Sequence, residues 1–274
     1  MTSQPRVGFV GLGSQGAPMA RRIIEEGFPT TLWARRPEST APFADTDATI
    51  ASSLFELGAA SDILGVCVVA DVDVEAVLGG AQGALAGMAP GGTVLIHSTV
   101  HPATCRRLQS EHPHVTVIDA PVSGGGHMAA ARELLVMAGG DGAALERCRL
   151  VLDTFANPVI HLGPLGAGQE AKLLNNALFT ASLGVVADVF AQAAALGVDP
   201  DALAQVLSKG SGRSYAADVL SGVGHDLAAM AGLAGPLLAK DVAILRSLLS
   251  DDSQLVDVAR AALVEMGVDL PERS

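Results

Sequence analysis

The sequence predicts a doubly wound α/β unit with a mostly parallel sheet, followed by an all-helical unit that a long helix joins to it. Three observations carry this. Short apolar runs alternate with helical stretches up to about Leu162. A glycine- and proline-rich joint, His161-Leu-Gly-Pro-Leu-Gly-Ala-Gly168, comes next. Beyond the joint the pattern is helical only. Strands that are apolar on both sides and alternate with helices belong to parallel sheets covered on both faces.

In chain order, strands are expected at Val7–Val10, Thr31–Ala34, Ile63–Val69, Thr93–His97, Val115–Asp119, Leu134–Ala138 and Pro158–Leu162. Helical stretches are expected at Ala17–Glu26, Ser53–Ala60, Val74–Leu78, Ala103–Glu111 and Gly142–Thr154. After the joint, a helical run of roughly 30 residues reaches about Leu196, where Gly197 and Asp199-Pro200 end it. Further helices are expected near 200–208, 214–222, 236–250 and 254–266. The expected domains are a nucleotide-binding unit over 1–164 and a helical substrate and oligomerisation unit over 165–274.

Composition narrows the function. At 274 residues the chain suits one or two domains. It is 49% hydrophobic, with a mean hydropathy of +0.40 and only 3% aromatic residues. A core of Ala, Val and Leu depends on close packing rather than on large rings. The formal charge is −12 and the pI about 4.9, which speaks against nucleic acid as a partner, because phosphate contacts need clustered Lys and Arg. An anionic substrate then needs a local positive pocket. Cys67, Cys105 and Cys148 show no zinc or redox spacing, so no metal site is expected, and Cys67 reads as a small core residue. Residues 177–198 look apolar enough for a membrane, but Asp188 and Gln192 interrupt them, and a span needs about 20 predominantly apolar residues. A buried helix and no membrane partner are expected. The start of the chain runs into a strand without a signal-peptide layout, and a cytoplasmic location is the expectation.

Gly11-x-Gly13-x-x-Gly16 follows the first strand and opens the first helix. In a chain with 31 glycines the string alone is weak, and an ordinary glycine-rich turn would read the same way. The strand–turn–helix context gives it meaning as a Rossmann-like dinucleotide fingerprint. Gly11 permits the tight turn, Gly13 lets the backbone approach a pyrophosphate, and Gly16 allows close helix–strand packing. The helix N-terminus supplies N–H donors to phosphate. NAD-type sites place an acid about 20 residues on, for the ribose 2′-hydroxyl. This chain has Leu32-Trp-Ala-Arg-Arg-Pro-Glu38 there, with Glu38 too late for that role. Arg35 and Arg36 suit a 2′-phosphate. NADP(H) is therefore the preferred cofactor, and NAD(H) the alternative if the arginines are a solvated surface pair.

Two further strings carry chemistry. Asp119-Ala-Pro-Val-Ser-Gly-Gly-Gly126 follows a strand end, where ligands of open α/β sheets bind. Ser123 offers a hydroxyl, and the glycines expose N–H groups that could hold a carboxylate. The string would also serve as a plain turn. Lys172, one of three lysines with Lys209 and Lys240 among 17 Lys and Arg, lies in Gly166-Ala-Gly-Gln-Glu-Ala-Lys-Leu-Leu-Asn-Asn176 at the start of the long apolar helix. Lysine, unlike arginine, can give up its proton when desolvated. Four residues on, Asn176 shares its helix face, leaving Leu173, Leu174 and Ala177 to pack.

These segments resemble the β-hydroxyacid dehydrogenase family, which includes 3-hydroxyisobutyrate dehydrogenase and tartronate semialdehyde reductase and has 6-phosphogluconate dehydrogenase as a larger relative. The matching strings are Gly8-Phe-Val-Gly-Leu-Gly-Ser-Gln-Gly-Ala-Pro-Met-Ala20, Asp119-Ala-Pro-Val-Ser-Gly-Gly125 and Gly168-Gln-Glu-Ala-Lys-Leu-Leu-Asn-Asn176. Lys240-Asp241, within Pro236–Leu245, resembles the family's late lysine–aspartate pair. The resemblance implies that Lys172 is the catalytic lysine, that Asn176 is its partner, and that Ser123, Gly124 and Gly125 form the carboxylate loop. It implies a cofactor contact from the Ser98-Thr99 pair and a place for Lys240 near the cofactor, with Asp241 orienting Lys240 or capping locally. The cofactor-binding set is then Gly11, Leu12, Gly13, Ser14, Gln15, Gly16, Arg35, Arg36, Val69, Thr99 and Lys240. The substrate-binding set is Ser123, Gly124, Gly125, Lys172 and Asn176.

The chain departs from the family at Ala131-Arg132-Glu133-Leu134, where a glycine is usual, and at Leu233, near the place of an aromatic residue. Arg213 and Tyr215, in Ser211-Gly-Arg-Ser-Tyr215, are either specificity residues or part of a plain loop.

The expected reaction is hydride transfer between NADP(H) and a small β-hydroxy acid or semialdehyde that bears a carboxylate, with Lys172 exchanging the proton. A free lysine, with a pKa near 10.4, is a poor base at neutral pH, and burial beside an oxidised nicotinamide is expected to lower it. Alternatives are imine or other carbonyl-type reduction on the same scaffold, or a non-catalytic NADP-binding protein. Imine reductases of similar architecture generally lack this lysine. The apolar helical unit suggests a homodimer or homotetramer, since a helix apolar all round needs burial on all sides.

Overall fold

The computed structural model describes residues 4–250 and 253–270. The outer ends of both expected domains, and residues 251–252 within the second, lie outside the described residues. The chain divides into two units, one ending at Lys172 and one beginning at Leu173.

In the first unit, β1 (Val7–Val10), β2 (Thr30–Trp33), β3 (Thr49–Ile50), β4 (Ile63–Val66), β5 (Thr93–Ile96) and β6 (Thr116–Asp119) build a parallel sheet in the order β3-β2-β1-β4-β5-β6. Val7 sits between Thr30 and Ile63, so β1 is the strand from which the order runs both ways. The crevice at such a reversal, beyond the carboxyl ends of the strands, is where ligands of these sheets bind. The connecting helices are α1 (Gly16–Glu25), α2 (Leu54–Ala59), α3 (Asp71–Leu78), α4 (Ala84–Gly87) and α5 (Pro102–Glu111).

Successive side chains of a strand face opposite ways. Phe9, Leu95 and Ile118 therefore join one apolar layer with Met19 and Ile23. Val10, Leu64, Val66, Val94, Ile96 and Val117 join the other, with Leu57, Leu78 and Leu85. Both faces are dry, which explains why these strands read as unbroken apolar runs.

The expected strand Ile63–Val69 stops at Val66. The Cys67 N–H still reaches the Val10 carbonyl, but Val68 N donates to Ser98 Oγ instead of continuing the ladder. Two strands were not foreseen, β3 and β7 (Val122–Ser123), each too short to show a period. The strands expected at Leu134–Ala138 and Pro158–Leu162 form a second sheet rather than extending the first. β7 pairs antiparallel with β8 (Leu134–Ala138), which runs parallel to β9 (Ala156–His161). An Asp119–Gly139 bridge links the sheets. The glycine run expected to be a loop continues into α6 (Gly125–Ala131). The helix expected over Gly142–Thr154 is broken at Cys148 (φ −86°, ψ −6°), which closes α7 (Gly142–Arg147) and opens α8 (Arg149–Leu152).

Beyond the joint comes α9 (Ala167–Ala195), followed by α10 (Pro200–Lys209), α11 (Tyr215–Gly222), α12 (Gly235–Leu248) and α13 (Gln254–Glu265). No strand is present past β9 among the described residues. Gly197, at φ +73°, ends α9, and Val198 N reaches back to the Ala193 carbonyl. This left-handed cap satisfies a last-turn carbonyl and is cheap only for glycine. Asp199 and Ser214 cap α10 and α11 through Ala202 N and Ala217 N.

In the second unit, Leu173, Ala177, Leu183, Val186 and Phe190 of α9 share a core with Leu238, Val242, Leu245, Ala259 and Leu263. Among the described residues, α9 alone is long and apolar enough to cross a membrane by length and composition, with a mean hydropathy of 1.5. Its other face carries exposed Leu174, Leu178, Val185 and Val189, with Leu196 just beyond its end.

Candidate active site

The loop from β1 to α1 is built by its glycines. Gly11 has φ +95°, and a Cβ there would lie 2.0 Å from the Cys67 carbonyl oxygen. A Cβ on Gly16 would lie 1.9 Å from the Gly11 carbonyl oxygen and 3.1 Å from Phe9. Both positions need the missing side chain, so that α1 can start directly over the end of β1. Gly13 has open space on its Cβ side. The first turn of α1 carries no acid, its N-terminal N–H groups receive no side-chain cap, and the buried Gln15 Nε2 has no hydrogen-bond acceptor. These features fit a phosphate-bearing ligand, since helix N-termini present unpaired N–H groups and partial positive charge.

Arg35 and Arg36 follow β2. The Arg35 side chain is 83% exposed and pairs loosely with Asp73, at 3.6 Å. Arg36 leads into the turn of 3₁₀-helix at Pro37–Phe43, and Glu38 is exposed within that turn. Val69 is 63% exposed beyond β4, and Thr99 is half-buried beyond β5. Cys67, which lies against Gly11 and Gly16, has its thiol pushed up to about 12 by burial, leaving little thiolate at neutral pH.

Ser123, at the end of β7, pairs with Leu135 of β8. Gly124 and Gly125 follow at φ +129° and +73°. A Cβ on Gly126 would lie 2.3 Å from the Ser14 carbonyl oxygen and 3.2 Å from the Pro18 ring. The third glycine thus seats the Ser123 loop directly on the dinucleotide loop. The Ser14 neighbour of that glycine leaves no mark in the sequence.

Lys172 is 8% exposed, in the second turn of α9. Leu173 and Ala177 are buried as expected, whereas Leu174 is 48% exposed and does not pack into the core. In the second unit, Asn176 Nδ2 donates to Asp241 Oδ2 at 2.6 Å, and Lys240 Nζ lies 2.8 Å from Asp241 Oδ1. Asp241 is buried and ties both candidate residues into one cluster. Arg213 is exposed in its loop, and Tyr215 is exposed at the start of α11 with its ring 5.6 Å from that of Phe179.

His97, just past β5, was absent from the candidate residues. It is buried beside Phe9 and Phe155, and its Nδ1 donates to the Ala120 carbonyl at 2.9 Å. Burial lowers its pKa to about 4. The folded chain therefore takes up that proton less readily than the unfolded chain does, from the ordinary value of 6.5 down to about 4, and stability is lost as pH falls through this window. At 1.36 kcal/mol per unit, roughly 3 kcal/mol is at stake. Burial raises the Asp119 carboxyl, which acts in the opposite sense but is common to both proteins in the comparison below. Urea unfolding at several pH values should show a shallower decline between pH 6.5 and 4 for His97→Phe than for wild type. Equal slopes would remove His97 as the cause.

The fold and these loops define a dinucleotide-binding α/β protein with a helical second unit. Its first part, residues 6–163, matches the family model described as the NAD binding domain of 6-phosphogluconate dehydrogenase. Residues 166–266 match the model described as NAD-binding of NADP-dependent 3-hydroxyisobutyrate dehydrogenase. The chain belongs to the β-hydroxyacid dehydrogenase family, that of 3-hydroxyisobutyrate dehydrogenase.

Among curated relatives, an uncharacterized oxidoreductase of Mycobacterium tuberculosis is 38% identical over 188 residues, or 67% of this chain and 63% of its own. That match spans less than two thirds of the relative's length. The NAD-dependent L-serine dehydrogenase of Pseudomonas aeruginosa is 30% identical over 87% of this chain and 83% of its own. Among solved structures, M. tuberculosis 3-hydroxyisobutyrate dehydrogenase with L-serine superposes with a TM-score of 0.83 at 26% identity, covering 97% of this chain and 94% of that one.

Proposed function

We propose that the protein catalyses the reversible oxidation of a small β-hydroxy acid by a pyridine nucleotide, with Lys172 exchanging the proton with the substrate oxygen. The observation that carries this is the burial of Lys172 on α9, in a unit that also holds a dinucleotide loop and the Ser123 loop seated against it. When bound, the nicotinamide takes up or returns the hydride.

The chain's own groups do the rest. The Ser123 hydroxyl and the N–H groups of Gly124 and Gly125 hold the carboxylate, their donor dipoles favouring an anion in a chain of net charge −12. The Lys172 ammonium polarises the carbonyl and donates the proton in reduction, and its amine accepts the proton in oxidation. Asn176 shares the helix face of Lys172, and its hydrogen bond to Asp241 sets its orientation. Gly11 to Gly16 take the pyrophosphate, with Leu12, Ser14, Gln15, Val69 and Thr99 along the cofactor. Candidate substrates are those named for the relatives, L-serine and 3-hydroxyisobutyrate. A panel of small hydroxy acids with NADP⁺ and NAD⁺, followed at 340 nm, tests the reading. Turnover of none of them would overturn it.

NADP(H) is the favoured cofactor. Two arginines follow β2, with no acid before Glu38, and the second family model describes an NADP-dependent enzyme. The name of the P. aeruginosa relative points to NAD as the alternative. Arg35→Ala should lower the NADPH-to-NADH ratio of kcat/KM roughly 10- to 100-fold, the worth of a hydrogen bond to a charged group. An unchanged ratio would remove Arg35 from the 2′-phosphate role. The exposed apolar stripe of α9, Leu174, Leu178, Val185 and Val189, supports a homodimer or homotetramer, which light scattering would test.

A further inference from the structure

Asp119 and Gln169 are both polar and both fully buried. Asp119 ends β6. Its Oδ1 accepts from Gly166 N and its Oδ2 from Gln169 N, each at 2.7 Å. These N–H groups open α9, so a carboxylate from a distant strand caps the helix. Its charge also sits at the positive end of the helix dipole.

Gln169 continues the connection with its side chain. Nε2 donates to the Ser98 carbonyl at 2.8 Å, and Val100 N donates to Oε1 at 3.0 Å. Ser98 Oγ in turn accepts from Val68 N at 2.8 Å. The close approach is made possible by Gly168, where a Cβ would lie 2.3 Å from the Met137 carbonyl oxygen and 2.8 Å from Asp119 Oδ2. The carboxyl ends of β4, β5 and β6 thus meet at the first turn of α9.

Lys172 lies three residues beyond Gln169. At 1.5 Å rise per residue, one rigid turn separates the clasp from the lysine. The segments it grips, Val68 and Ser98–Val100, flank Val69 and Thr99, the two residues assigned to the cofactor side. We propose that Asp119 and Gln169 are positioning residues that hold Lys172 in register with the cofactor-binding strand ends. This rests on the reading of Lys172 as the proton-transfer group.

A helix anchored only for stability needs one cap. Here Asp119 ties the turn to the end of β6, and Gln169 ties it to Ser98 and Val100, on either side of Thr99. Misplacing a reacting group by about 1 Å costs on the order of 10²-fold in rate. Loosening the clasp should therefore appear in kcat more than in cofactor binding.

The test is a double-mutant cycle on Gln169→Leu and Lys172→Ala, with Asp119→Asn as a second clasp variant. Asn keeps the shape of Asp119 but sets an NH₂ group against one of the two N–H donors. Turnover is measured with 3-hydroxyisobutyrate and L-serine, alongside NADPH binding by fluorescence and thermal melting. The expected result is a roughly 10- to 100-fold fall in kcat for Gln169→Leu, with NADPH Kd within about twofold of wild type. In the Lys172→Ala background, Gln169→Leu should lower the residual turnover little further, because the group it positions is gone.

An equal loss in both backgrounds, an unchanged kcat, or loss of the fold in both clasp variants would overturn the proposal and leave the clasp structural. Full turnover by Lys172→Ala alone would instead overturn the reading of Lys172, so the two failures are distinguishable.

Discussion

Lys172→Ala is expected to lower kcat roughly 10²- to 10⁴-fold, the range a positioned proton donor contributes, while NADPH binding stays close to wild type. The expectation separates chemistry from folding. Lys172 is 8% exposed, so the melting temperature is measured beside turnover to separate a lost reacting group from a lost fold. A loss of turnover without a loss of stability is the signature of a reacting group. Lys172→Arg sharpens the result. It keeps the positive charge but cannot release a proton near neutral pH, so it should stay far below wild type. If the arginine variant regained most of the turnover, charge alone would be sufficient and the proton-transfer role would fail. Undiminished turnover by Lys172→Ala would remove the lysine from the reaction.

The second large effect is expected at Gly16→Ala. Two physical terms oppose each other there. Glycine inside a helix is less favourable than alanine by roughly 0.5–1 kcal/mol, so helix propensity alone predicts a more stable protein. The added Cβ, however, would stand 1.9 Å from the Gly11 carbonyl oxygen, a backbone atom that no side-chain rotation can move. Overpacking of a tight contact costs roughly 1–3 kcal/mol, and relief requires α1 to shift off β1. The contact term should win. Thermal melting should show a loss of several degrees, and dinucleotide affinity should fall more than tenfold, because the N-terminal N–H groups of α1 move with the helix. A variant as stable as wild type that bound NADPH equally well would show that the loop tolerates the shift and that Gly16 does not set it.

Much of the scaffold was legible without coordinates. The parallel strands have both faces buried, so they appear as apolar runs, and α10 and α11 carry their own N-caps. α9 was foreseen to Leu196 and ends at Ala195, because Gly197 stops it locally. The dinucleotide loop was legible because the spacing of its glycines is local and Gly16 meets Gly11 five residues back, although Gly11 itself packs against the distant Cys67 carbonyl. The misses have the opposite character. β3 and β7 are two residues long and show no period. The split into two sheets, with β7 running against β8, depends on pairing between distant segments.

The candidate site divides in the same way. Lys172 and Asn176 share a face by spacing alone, and Arg35 and Arg36 are visible as a pair that stands where an acid could have been. Gly126 meeting Ser14, Asp241 holding both Asn176 and Lys240, and His97 buried between Phe9 and Phe155 were not visible. Asp119 stood in plain view at the head of the Ser123 string, yet its partners are Gly166 and Gln169, 47 and 50 residues away.

By itself, then, the sequence determined whatever rests on short-range geometry: the strand–helix alternation, the glycine turn, the shared helix face of Lys172 and Asn176, and the family these strings spell. Only the tertiary structure decided what surrounds and aims those residues. A hydrogen bond or a missing Cβ acts over about 3 Å of space, and no spacing along the chain records which distant residue will occupy it.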